Sequence, residues 1–144
     1  MTLDINTKDE MVMKLLHYFI TEKNYNPVVL HGAQEEIWLE NMDNDYKIVR
    51  IVSNYIHNNE QLDFDLFKTQ KIVSNIKKKT LNLNMNVLSI YVDLGDNVNL
   101  DTNKNNTITC VNLTNEKDIS KYEVFKNYFT DIKNKLVFNE DGME

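Results

Sequence analysis

Val87-Leu88-Ser89-Ile90-Tyr91-Val92 decides the fold, because an almost continuously apolar run suits a strand covered on both faces. Such a strand needs a layer above it and a layer below. Upstream, Leu62, Leu66, Thr69, Val73, Ile76 and Thr80 alternate steps of four and three, which places them on one seam of a helix over about residues 63–79, widened by Phe67 and Ile72. Downstream, after a polar loop over 96–106, Thr107-Ile108-Thr109-Cys110-Val111-Asn112-Leu113 reads as another strand. A third helix, from about 116 or 120 to 136, then carries Tyr122, Phe125, Phe129, Ile132 and Leu136 as its buried stripe.

Farther out, Thr7-Lys8-Asp9-Glu10 matches a capping box and opens a helix with Val12, Leu15, Leu16, Phe19 and Ile20 on one face. The helix should end over 24–27, since Pro27 pushes its neighbour out of helical geometry. Strand candidates follow at 28–30, 36–41 and 46–52, joined by the short connectors 31–34 and 42–45, a pattern that favours an antiparallel meander turned by Asn and Asp. The order α-β-β-β-α-β-β-α predicts a single α+β domain over residues 1–144, a mixed sheet with helices packed on it. Trp38, in a half-buried strand, should lie in the core.

A net charge of -6 argues against a phosphate-tracking surface, so no nucleic-acid partner is expected. The basic cluster Lys77-Lys78-Lys79, with Lys71 upstream, reads as a solvated helix end favoured by the helix dipole, with anionic lipid as its alternative contact. The lone Cys110 cannot form an internal disulfide and reads as a buried structural thiol in a reducing compartment. No apolar run approaches the roughly 18 residues of a membrane span.

The lone tryptophan sits in His31-Gly32-Ala33-Gln34-Glu35-Glu36-Ile37-Trp38-Leu39-Glu40, just after a glycine turn. With an amphipathic helix and Val28-Val29-Leu30 before it and Ile48-Val49-Arg50-Ile51 after it, the segment resembles the soluble N-terminal domain of rhomboid-family intramembrane serine proteases from Gram-positive bacteria, over roughly residues 10–95. The resemblance implies a non-catalytic regulatory, sensing or docking domain on the cytoplasmic side of the cell membrane. Its partners would be a membrane-embedded protease domain after residue 144 and a membrane-protein substrate. The rhomboid nucleophile lies in a Gly-x-Ser motif, which does not occur here, and the catalytic His lies on a neighbouring transmembrane helix.

The element order also contains the α-β-β-β-α-β core of PD-(D/E)xK nucleases, so the sheet is expected to resemble a degenerate restriction-endonuclease-like core. In that family an Asp on the second core strand and a Glu-x-Lys on the third hold the metal and the attacking water. Trp38 stands where the Asp would, Ile51 and Ser53 occupy the Glu and Lys positions, and Asp45-Tyr46-Lys47 lies at the strand entrance. Losing those carboxylates removes Mg²⁺ ligands. A metal-dependent nuclease-like enzyme, or its inactive remnant, is therefore the second expectation, and a freestanding acidic protein-interaction domain the third.

No cofactor is required by this reading. His57, Glu60, Asp63 and Asp65 form the best local cluster for a divalent cation, Mn²⁺, Zn²⁺ or Mg²⁺ without strong selectivity. Their alternative is structural: acidic residues belong at a helix N-terminus, where Asp63 would serve as cap. Asp93, Asp96 and Asp101 lack the glycine and glutamate spacing of a calcium loop and read as solvated. His17 reads as a boundary residue, and His31 has no neighbouring Ser or Cys motif to serve.

Overall fold

The computed structural model describes residues 5–30, 36–82, 84–100 and 107–136. Helix α1 (Ile5–His17) runs into a π-helical turn (Tyr18–Glu22), and three strands follow: β1 (Asn26–Val28), β2 (Glu36–Glu40) and β3 (Tyr46–Val52). Next come α2 (Asn59–Thr80), β4 (Asn86–Tyr91) and β5 (Ile108–Asn112). A 3-10 turn (Glu116–Lys121), α3 (Glu123–Asn127) and α4 (Ile132–Leu136) complete the described chain.

The five strands lie in the order β1-β2-β3-β4-β5. The first three form the expected antiparallel meander, while β4 runs parallel to β3 and β5 parallel to β4. Short turns permit the first arrangement and a long crossover, here α2, permits the second. At the β2–β3 turn, Asn41 and Asn44 side chains accept from the Asp43 and Tyr46 amides at 2.9 and 3.1 Å, doing the work glycine would otherwise do. The expected α+β mixed sheet is therefore present, with β4 in its interior.

Strand alternation divides the core in two. Leu39, Val49, Ile51, Leu88, Ile90, Val92 and Val111 face α1 and the C-terminal helices, joining Leu15, Phe19, Phe125 and Phe129. Trp38, Ile48, Val52, Val87, Tyr91 and Ile108 face the other way, onto Leu62, Leu66 and Val73 of α2. A register irregularity between Tyr46 and Ile48 puts Tyr46 out of step, so it joins the α1 side despite its even position.

Several local expectations shift. Helix α1 already includes Ile5, so Thr7 is a helical residue instead of the cap. Asn24, at φ 62°, ends the first helical segment. The first strand is Asn26–Val28 rather than 28–30; Pro27 is tolerated because β1 is an edge. Helix α2 begins at Asn59, earlier than expected, because Asn58 caps it by accepting from the Gln61 amide at 2.9 Å, and Asp63 lies inside the helix. The third helix is three pieces: Tyr122 takes an extended conformation, yet Phe125, Phe129, Ile132 and Leu136 stay buried. Asp93 is not solvated: it is buried, with Lys8 Nζ 2.6 Å from its carboxylate. The Cys110 thiol is only half-buried. Asp101, the whole 31–34 connector with His31, and the chain beyond 136 lie outside the described residues.

Candidate functional site

The α2-facing side of the sheet carries a charge where an apolar strand pattern would place a hydrophobe. Arg50 interrupts Ile48-Val49-Arg50-Ile51-Val52 and is completely buried. The strand register explains how it fits. Trp38 pairs with Arg50, Arg50 with Ser89 and Ser89 with Cys110, forming one row across four strands. The small Ser89 leaves room beside it for the guanidinium.

Each nitrogen of that guanidinium has a partner. Its Nε donates to Glu36 Oε1 at 2.5 Å, Nη1 donates to Ser89 Oγ at 3.0 Å and to Tyr91 Oη at 3.3 Å, and Nη2 donates to Asp65 from α2. Tyr91 in turn donates to the second Asp65 oxygen at 2.7 Å, and Lys68 donates to the second Glu36 oxygen at 2.7 Å. The guanidinium carbon lies 5.8 Å from the Trp38 ring centroid and 5.7 Å from that of Tyr91. Trp38 Nε1, also buried, has no acceptor among the described residues.

Burial by itself would raise the Glu36 carboxyl, but Arg50 and Lys68 outweigh it and hold the group below the ordinary carboxylate range. Burial likewise works against the Arg50 charge, and Tyr91, Asp65 and Glu36 hold its pKa above the usual value. The Tyr91 hydroxyl is pushed up chiefly by burial. The network is thus a set of complementary charges in which each guanidinium nitrogen and each carboxylate oxygen has a partner, the condition under which buried ions are tolerated.

Only Lys68 lies at the rim, with its side chain about one-third exposed. It borders a groove of about 550 Å³ lined by Asn54, Tyr55, Asn58, Gln61 and Phe64, with Asp65 at its floor. The four expected metal-ligand residues are dispersed around this region. The exposed His57 ring stacks edge-on against Tyr55 at 4.3 Å, Glu60 borders the groove, Asp63 is exposed and Asp65 is engaged by Arg50 and Tyr91. Among the described residues no three His, Cys, Asp or Glu side chains group to hold a metal ion.

For the nuclease expectation, Glu36, Asp65 and Lys68 do meet on one face of the sheet, with the Arg50 guanidinium between the two carboxylates. Trp38 and Ile51 are buried in opposite cores, and Ser53 lies past the end of β3. The sequence signal for this centre is the one charge within the apolar run Ile48-Val49-Arg50-Ile51-Val52. Its partners were harder to find, because Asp65 reads as part of the acidic start of a helix.

The fold defines an α+β domain with helices on both faces of a mixed sheet. No protein-family model and no curated protein matches the chain. No helix among the described residues is long and apolar enough to cross a membrane.

Proposed function

We propose that this chain is a non-catalytic regulatory or docking domain of a rhomboid-type intramembrane serine protease. One observation carries the reading: the separate sequence segments that resemble that family meet in space. Glu36 and Trp38 come from Glu36-Ile37-Trp38-Leu39-Glu40, Arg50 from Ile48-Val49-Arg50-Ile51, and Arg50 contacts both of the others beneath α2. The motif therefore acts as one structural unit. Its charges are spent on one another, which suits a rigid scaffold that presents a surface.

Cell fractionation with an antibody against this chain tests the proposal. The expected antigen is a membrane protein larger than 17.0 kDa that resists alkaline carbonate and needs detergent for extraction. An antigen of 17.0 kDa recovered entirely in the soluble fraction refutes it.

A second reading, the inactive remnant of a metal-dependent nuclease, draws on the meeting of Glu36, Asp65 and Lys68 around Arg50. Arg50 supplies positive charge between the carboxylates, the role a divalent ion has in that chemistry. Replacing it by alanine and finding Mn²⁺ binding that requires both Glu36 and Asp65 supports this reading; finding none removes it.

A further inference from the structure

Helix α2 buries one face against the sheet through Leu62, Leu66, Thr69 and Val73. The opposite face is unusual for a solvated helix: Phe64 and Phe67 are 70% and 57% exposed on adjacent positions of one turn. Lys71 continues the same stripe, its Nζ 4.5 Å from the Phe67 ring centroid, and Asn75 and Lys78 follow at helical steps. From residue 66 to residue 80 the helix carries no acidic residue, and besides Lys68, which is paired with Glu36, it has lysines at 71, 77, 78 and 79, although the whole chain has a net charge of -6. Cations and exposed aromatic rings are therefore concentrated together.

The surface continues past the helix. Beside Asn75 and Lys79, an apolar hollow of about 240 Å³ is lined by Val29, Leu30, Ile72 and Ile76, and Val29 itself is 99% exposed. At about 1.5 Å per residue, residues 64–79 give a contact strip roughly 20 Å long.

We propose that this outer face of α2 docks on an anionic lipid bilayer, with Phe64 and Phe67 entering between headgroups and the lysines contacting lipid phosphates. The proposal rests on the reading of the chain as part of a membrane-bound protease. Charge complementarity selects the occupant: Lys71 and Lys78 continue the line of Phe64 and Phe67 along the helix, and flexible stems that keep their ammonium groups at the interface suit a fluid sheet of phosphates. Glu60 and Asp63, at the N-terminal end of α2, are repelled by the same surface and set the N-terminal limit of the contact at Phe64.

The test uses the whole 144-residue chain with vesicles of phosphatidylglycerol and phosphatidylcholine in equal parts, and with phosphatidylcholine vesicles as the neutral control. Cosedimentation should occur with the anionic vesicles only and fall as salt rises. Each lysine near such a surface is worth about 1 kcal/mol, so Lys71→Gln or Lys78→Gln should weaken binding about fivefold. Phe64→Ser with Phe67→Ser should weaken it about tenfold or more, with the melting temperature confirming that the variant folds. A Phe64→Trp variant should show blue-shifted emission on vesicle addition.

Absence of cosedimentation, equal binding to neutral vesicles, or unchanged binding by the lysine and phenylalanine variants overturns the proposal. So does an acidic protein competing for Phe64 and Lys71 while vesicles leave the Phe64→Trp emission unchanged. Failure here is distinguishable from failure of the underlying reading. A carbonate-resistant antigen without vesicle binding removes only the lipid contact; vesicle binding by a wholly soluble 17.0 kDa protein removes only the protease assignment.

Discussion

Replacing Arg50 by methionine is the sharpest test of the buried network, because it removes the charge and keeps most of the volume. Wild-type Arg50 makes hydrogen bonds to Glu36, Ser89, Tyr91 and Asp65 and is fully buried. Without it, Glu36 keeps Lys68, at 2.7 Å, but Asp65 keeps only the Tyr91 hydroxyl to offset its buried charge. Stranding one partner of a buried ion pair costs about 3–5 kcal/mol, so Arg50→Met should lose about that much in urea denaturation at neutral pH. Adding Asp65→Leu removes the stranded carboxylate and should restore about 2 kcal/mol, a coupling of the size contacting residues show. The reasoning fails if Arg50→Met costs less than about 1 kcal/mol, or if the double variant is as unstable as the sum of the two singles.

Four further outcomes follow from the same structure. Trp38, 2% exposed, should cost about 3–5 kcal/mol when changed to alanine, measured by chemical denaturation, and a loss below about 1 kcal/mol would argue against its core role. Gly95→Ala should destabilise measurably by thermal melting, since an added Cβ would lie 2.8 Å from the His57 carbonyl oxygen, a backbone atom with little freedom to move. Because the Glu36 pKa is lowered on folding, its contribution to stability is present above the unfolded carboxylate pKa of about 4.3 and is lost as pH falls through the lower folded value. Glu36→Gln should consequently be less stable than wild type at neutral pH and show a shallower acid limb in melts taken across pH; parallel curves would contradict the shift. Titration with Mn²⁺, Zn²⁺ and Mg²⁺ tests joint action by His57, Glu60, Asp63 and Asp65: a shared site raises the melting temperature, less in His57→Ala and less on acidification, whereas equal small rises in both proteins mean diffuse screening.

The sequence by itself determined the layering of this protein. Hydrophobic periodicity is local, so the 87–92 run, the α2 seam and the Phe125–Phe129–Ile132 stripe each disclosed which face they bury, and the short connectors disclosed the antiparallel meander. Element ends were less legible because they depend on individual hydrogen bonds: Asn58 rather than Asp63 starts α2, and Tyr122 breaks the last helix although its stripe continues. Only the tertiary structure decided that Asp65, embedded in an acidic helix start, turns inward to Arg50 while Asp63, two residues away, faces solvent. It likewise decided that Asp93 is buried against Lys8, and that Phe67, expected to widen the buried α2 seam, is exposed instead and falls outside both cores with Phe64. The physical reason is that burial of an apolar face follows from spacing along one element, whereas the partner of a charge is set by register between strands and by the approach of a helix 15 residues further along the chain.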